Sequence, residues 1–328
     1  MSDPEAEPSR RVCLRATALL FAPWSVAAQG RYPLRPITLI VPFAPGGIAD
    51  ITARAVAEAM GVSLQQTLIV DNRPSAGGIV GSAAVAQAAP DGYTLLLMSN
   101  ANAVSASLFS KLSFDVTRDF APVTTLGHFD LALFVGGESR FRSLADVLGH
   151  ARAKPGKLTV GTIAVGSTQN LAAELFKIRT GIDALIVPYK GTPAVLTVLR
   201  SGEIDLAFEI LGPMLPQIGA GVVRALAVTS EHRLAALPAV PTAQEAGVSD
   251  YVVSSWNALA APKGTPAAVI ETLRQAAAKA LASGPVRERL GGLGVRLQAS
   301  TPGQLQSLLV SEIKRWGDVI RAARIPTQ

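Results

Sequence analysis

From residue 36 onward, short apolar, β-branched runs alternate with helix-like stretches, and glycine gathers at the joints between them. Alternation of this kind threads strands into a parallel sheet through helical crossovers, so the chain reads as an α/β protein. Residues 36–43 (PITLIVPF) form a strand pattern and 49–60 a helix pattern, with Ala44-Pro45-Gly46-Gly47-Ile48 between. The same logic repeats with a strand at 67–70, a loop at 71–78, a helix at 79–88 and a strand at 93–98, which completes a βαβαβ half-sheet. After apolar runs at 120–126 and 129–135, a second set begins. It has helices at 144–153, 169–179 and 192–200 and strands at 158–161, 184–188, 204–210 and 223–228. A strand at 255–261 then precedes helical pieces at 266–281, 286–290 and 302–323. Thr265-Pro266 and Thr301-Pro302 read as helix starts, because threonine caps free N–H groups and proline suits the first helical position.

At 328 residues, with 49% hydrophobic and 16% charged side chains, the chain is far too apolar to be disordered and long enough for two lobes. Beyond the N-terminus no run approaches the roughly 18 apolar residues of a spanning helix. Residues 1–28 read as an export signal. Arg10, Arg11 and Arg15 supply the basic region, 16–26 the apolar region, and Val26-Ala27-Ala28 a cleavage site before Gln29. Ser9-Arg10-Arg11 gives a twin-arginine route as the second option. Cys13, the single cysteine, falls inside this segment, so neither a disulfide nor a thiolate metal site is expected in the exported chain. A formal charge of +6 fits a small anionic ligand, whereas 5% aromatics and no long basic run argue against nucleic acid.

Pro45-Gly46-Gly47 sits between a strand and a helix, where glycines let backbone approach a ligand and the helix start turns N–H groups toward an anion. Residues 71–81 (DNRPSAGGIVG) repeat that geometry one unit later. Each glycine pair alone reads first as a tight turn; two equivalent loops at the carboxyl ends of adjacent strands shift the reading toward a ligand cleft. Neither loop matches a Walker or G-x-G-x-x-G pattern, so no nucleotide cofactor is expected. In the second set, residues 161–170 (GTIAVGSTQN) offer the Ser167 and Thr168 hydroxyls and the Gln169 and Asn170 amides to a carboxylate, or one of the hydroxyls simply caps the helix. Tyr189 lines the same region, and Lys190 reads equally as a surface cation. Glu209 ends a strand among apolar residues, where a lone carboxylate is costly unless paired or wet. His128, His150 and His232 have no metal-ligand spacing, no G-x-S-x-G elbow is present, and Asp50, Asp71 and Asp130 suit capping or surface roles better than a catalytic pair.

The segments YPLRPITLIVPFAPGGIADITAR, VDNRPSAGGIVGSAAVAQAAPDGYTLL, FDVTRDFAPVT, VPYKG, LRALAVTS, LPAVPTAQEAG and SWNALAAPKGTP together resemble the periplasmic substrate-binding receptors of tripartite tricarboxylate transporters, the Bug receptors. The resemblance covers residues 32–323. It implies a two-lobed Venus-flytrap protein, each lobe a mainly parallel sheet flanked by helices, with residues 29–126 and 260–328 in one lobe and 127–259 in the other. It further implies a monomer without catalytic activity, metal or cofactor, which captures a small organic acid in the periplasm and passes it to membrane permease subunits. A sensor feeding a signalling partner, or an enzyme acting on small acids, is the alternative. By the same resemblance Phe43, Ala44, Pro45, Gly46 and Gly47, with Ser75, Ala76, Gly77 and Gly78, hold a carboxylate, and Asp50 matches the family's acidic residue after the glycine pair. Ser99 and Asn100 lie at the third strand's end, while Gly166, Ser167, Thr168, Tyr189, Gly191, Thr192 and Glu209 close from the second lobe. Ser99-Asn100-Ala101-Asn102, Asn170 and Glu209 depart from the family's usual residues, which leaves the ligand open.

Overall fold

A computed structural model describes residues Tyr32–Gln328. The export signal, its cleavage site and Cys13 lie outside them. The chain runs β1 (Ile37–Val41), α1 (Ile48–Leu64), β2 (Leu68–Asn72), a 3-10 turn (Ala76–Gly78), α2 (Ile79–Ala86), β3 (Thr94–Ser99), α3 (Asn100–Leu108) and β4 (Phe120–Gly136). It continues with α4 (Leu144–Ala153), β5 (Leu158–Ile163), α5 (Thr168–Thr180), β6 (Ala184–Tyr189), α6 (Thr192–Ser201), β7 (Leu206–Ile210), α7 (Leu211–Gly219) and β8 (Val223–Val228). It closes with β9 (Ser254–Pro262), α8 (Ala267–Ala282), α9 (Gly284–Gly291), β10 (Val295–Leu297) and α10 (Pro302–Ala322).

The result is a two-lobed α/β fold on a mixed sheet with strand order β2-β1-β3-β9-β4-β7-β5-β6, and β8 and β10 also pair with β4. Between the named strands, parallel pairing joins β1 with β2 and β3 and β5 with β6 and β7, and Val228 of β8 adds one parallel bridge to Thr242. Pairs involving β4 and β9 are antiparallel, so each lobe's sheet is mixed where a mainly parallel one was expected. The physical reason is β4. Instead of two runs, it is one 17-residue strand that pairs with β9 through Asp130 and with β7 and β8 from Leu131 on. Gly127 leaves room for β10 beside it, since a Cβ there would sit 2.8 Å from Val295 and 3.0 Å from the Arg296 carbonyl.

Each side of the sheet has its own core. Leu39, Leu97, Leu259 and Val56 pack on one face of the β1–β3 half, and Ile40, Met98, Trp256 and Leu305 on the other. In the β5–β7 half, Val160, Phe176, Phe208 and Tyr251 face one way, and Phe134, Ala207, Val195 and Met214 the other. α10 serves both halves: Leu305 and Leu309 join Trp256, whereas Trp316, Val319 and Ile320 join Leu131 and Leu171. Thr301 caps it in a capping box with Gln304. Thr265 does not cap α8, because its hydroxyl donates to the Pro262 carbonyl instead.

Candidate functional site

The β1–α1 loop is held from behind. Asp50, buried in the first turn of α1, accepts the Gly46 N–H at 2.9 Å, the Asn72 side-chain N–H at 3.0 Å and the Arg54 Nε–H at 3.1 Å. Asn72 also donates to the Phe43 carbonyl at 3.0 Å. Burial alone would raise the Asp50 pKa, but Arg54, the Gly46 N–H and Asn72 outweigh it and hold the carboxyl below its ordinary value. Asp50 therefore fixes the loop, and the Gly46 N–H serves that purpose and is not free for a ligand. Ala44, Pro45, Gly46 and Gly47 are exposed. Gly47 is the N-cap of α1 and no side chain caps the helix, so its first-turn N–H groups are left for solvent or an anion. A Cβ on Gly47 would meet nothing within 4 Å.

In the β2–α2 loop the glycines make a tight turn. Gly77 and Gly78 have φ of 59° and 68°, and a Cβ would lie 2.5 Å from the Phe109 ring or 3.0 Å from Pro42. Ala76 shares that turn. Ser75 accepts the Val80 N–H at 3.0 Å, which steadies the start of α2.

Ser99 and Asn100 have structural partners. Ser99 caps α3 in a reciprocal box with Asn102. Asn100 is fully buried, donates to Thr168 Oγ1 at 2.9 Å and accepts the Trp316 indole N–H at 2.8 Å. Thr168 also shares a 3.1 Å hydrogen bond with Ser255. The sequence reading had these two side chains facing a ligand; here their polar atoms meet each other and join α3, α5, α10 and β9. Ser167 takes the capping role, accepting the Asn170 N–H at 3.1 Å. Gly166, at φ 80°, leaves no room for a Cβ beside Leu108 and donates its N–H to Asn170.

At the carboxyl ends of β5, β6 and β7 the structure brings together Gln169, Tyr189, Gly191, Thr192 and Glu209. Gly191 is the N-cap of α6, and half-buried Tyr189 has its pKa raised by burial and by the Glu203 charge. Glu209 is fully buried and accepts from Thr192 at 3.0 Å and Gln169 at 3.3 Å through Oε2, while Oε1 has no partner among the described residues. Burial pushes its pKa up to about 7 against the pull of Gln169, Thr192 and the Ile210 N–H. Lys190 is exposed. Asp50, Asp71 and Asp130 pair with Arg54, Arg73 and Arg296, not with one another.

Sequence reasoning missed Asn257. It lies on β9 opposite Ser99 of β3 and Gly127 of β4, is 1% exposed, and neither its amide N–H nor its carbonyl has a partner among the described residues. One carboxamide inside the apolar run SWNALAA was the available signal. Arg54 and Asn72, which lock Asp50, were missed too: Arg54 carries the legible signal of an i,i+4 pair on α1, whereas Asn72 comes from the end of β2 and has none. A shallow hollow of about 470 Å³ lined by Glu58, Gln65 and Gln66 sits at the far end of α1, about 25 Å from its N-terminus at 1.5 Å per residue, and is separate from these groups.

Two α/β lobes on one mixed sheet, with an open helix N-terminus and unpartnered buried polar groups at the strand ends, define a solute-binding receptor of the periplasmic binding protein class. Residues 52–325 match the model of the tripartite tricarboxylate transporter family receptor, and the chain belongs to that family. It is 38% identical over 308 residues to protein BugT of Bordetella pertussis, covering 93% of this chain and 94% of that one. Among solved structures, the periplasmic binding protein BugD superposes with a TM-score of 0.82 at 30% identity, over 90% of this chain and 100% of its own. MatC from Rhodopseudomonas palustris with bound malate gives 0.80 at 32%, over 88% and 100%, and R. palustris Rpa4515 with adipate gives 0.84 at 33%, over 90% and 99%.

Proposed function

We propose that this receptor binds a small organic acid between its lobes in the periplasm, performs no chemistry on it, and delivers it as a monomer to the permease subunits of a tripartite transporter. Malate and adipate in structurally similar receptors support the carboxylate. The observation that carries the reading is the uncapped α1 N-terminus behind a loop braced by Asp50, Arg54 and Asn72. Anions gain from such a terminus because several N–H groups and the helix dipole act in concert.

In this reading the Gly47 side of the loop and the turn from Ser75 to Gly78 take the carboxylate, with Asn257 beside them. Tyr189, Thr192 and Glu209 close from the other lobe. Strand pairing supports lobes of 32–130 with 254–328 and of 131–253, a few residues away from the boundaries at 126 and 260 read from the sequence. Mass spectrometry of the denatured extract of the purified protein tests the function. A stoichiometric small carboxylate is the expected finding; turnover of the bound acid by the isolated protein would overturn the reading.

A further inference from the structure

Glu209 is an unusual residue for a strand end whose neighbours are apolar. It lies at 0% exposure one residue from the end of β7, beside Ala132 of β4. Its two side-chain donors, Gln169 and Thr192, are neutral and come from the first turns of α5 and α6, so they orient the carboxylate without neutralising it. No lysine, arginine or histidine among the described residues forms an ion pair with it, and Oε1 is left without a partner. A buried carboxylate in that state carries a desolvation penalty that a glutamine or leucine would avoid. Elsewhere in this chain buried carboxylates have a cation from the protein itself: Asp50 has Arg54, and Asp130, whose Oδ2 is likewise without a partner among the described residues, has Arg296. Glu209 differs in that no cation among the described residues faces it, and it stands at the carboxyl end of a strand parallel to its neighbour, where α/β proteins take their ligands.

We propose that Glu209 Oε1 accepts a hydrogen bond from the ligand, so that the ligand is a small acid bearing an ammonium, amide N–H or hydroxyl donor at the end away from its α1-bound carboxylate. This rests on the reading of the α1 terminus as the carboxylate site. A plain dicarboxylate would bring a second anion against Glu209, and one of the two would have to take up a proton. A donor group instead fills the open acceptor and, as an ammonium, supplies the charge the protein withholds. Hydrogen bonds to charged groups are the strong ones, which makes this contact a discriminating one.

The test is titration calorimetry with acids of matched chain length that end in an amine, an amide, a hydroxyl or a second carboxylate, on the wild type and on Glu209→Gln. The donor-bearing acids are expected to bind at least about tenfold more tightly than the matching dicarboxylates, and Glu209→Gln to bring the ratio to within about threefold. The wild-type ratio needs no variant, so the proposal stays exposed even if Glu209→Gln does not fold. Dicarboxylates binding as tightly as the donor acids, or a ratio that survives Glu209→Gln, would overturn the role of Glu209 while leaving the carboxylate receptor intact. Failure of every acid to bind would overturn the receptor reading and this proposal with it.

Discussion

Because burial raises the Glu209 pKa from the ordinary 4.5 to about 7, the ligand-free protein keeps this side chain protonated below neutral pH and ionised above it. Between those values the unfolded chain has lost the proton and the folded one has kept it, so stability falls as pH rises from 4.5 to 7 and is level above. At 1.36 kcal/mol per unit the penalty reaches about 3 kcal/mol. Denaturant titrations across that range should show Glu209→Gln gaining on the wild type as pH rises and matching its slope above; a constant difference would mean that the carboxylate is not the source. Gly47 makes a second prediction. Its φ of −80° suits any residue and a Cβ there is unobstructed, so Gly47→Val should fold, at a helix-capping cost of about 1 kcal/mol. Yet the new side chain stands where the anion meets the α1 N–H groups, and losing two such bonds weakens binding at least about a hundredfold. Lys190→Ala, at an exposed cation, should cost under about 1 kcal/mol. Calorimetry with the cognate acid decides between them, and the opposite ranking would move the anion to Lys190. The turns themselves were legible because glycine pairs between a strand and a helix mark tight backbone, as the positive φ of Gly46, Gly77 and Gly78 bears out. Of the partners of Asp50, Arg54 is a local i,i+4 pair on α1 that the sequence does show, whereas Asn72 reaches it from the end of β2, which no local pattern records.

Among elements, those with conventional ends were the most legible: helix α4 and strand β8 coincide with their sequence patterns at both ends. α3 and α7 stayed hidden for opposite reasons. α3 opens with Asn100-Ala101-Asn102 directly after a strand, and asparagine reads as turn; its only signal is the Ser99-to-Asn102 box. α7 (LGPMLPQIG) carries two prolines and an early glycine, yet packs Leu211 and Met214 into a core that outweighs propensity. α3 also carries the junction that the ligand reading had claimed. Asn100→Ala removes the bonds to Thr168 and Trp316 from a buried site, but Thr168 keeps Ser255 and the Trp316 N–H keeps Glu312, so the loss is about 1–2 kcal/mol. Thermal melts and ligand titration on one sample separate the two roles. A destabilised protein with intrinsic affinity retained is expected, and unchanged stability with lost affinity would return Asn100 to the ligand.

At the scale of the molecule, the two lobes share more than a pair of connecting strands. β4 runs unbroken from one half-sheet into the other, Thr229 receives the Val253 N–H at 2.9 Å where the chain returns, and α10 places Leu305 in one core and Trp316 in the other. Neither half therefore owns a complete core, and separating them exposes Trp316, Val319 and Ile320 together with the β4 edge. Such coupling predicts a single cooperative unfolding transition in scanning calorimetry. It also predicts that a saturating acid moves the whole transition, since a ligand that binds only the folded state adds about 2.7 kcal/mol at a hundred times its Kd. For a chain of this length that is a rise of about 4 °C in Tm, given an unfolding entropy near 2.1 cal/mol/K per residue. An isolated segment 131–253 should lack cooperative unfolding, because α10 and the first part of β4 are missing from its core. Two resolved transitions, of which the acid shifts only one, would show instead that the lobes fold independently and that α10 merely rests against the second.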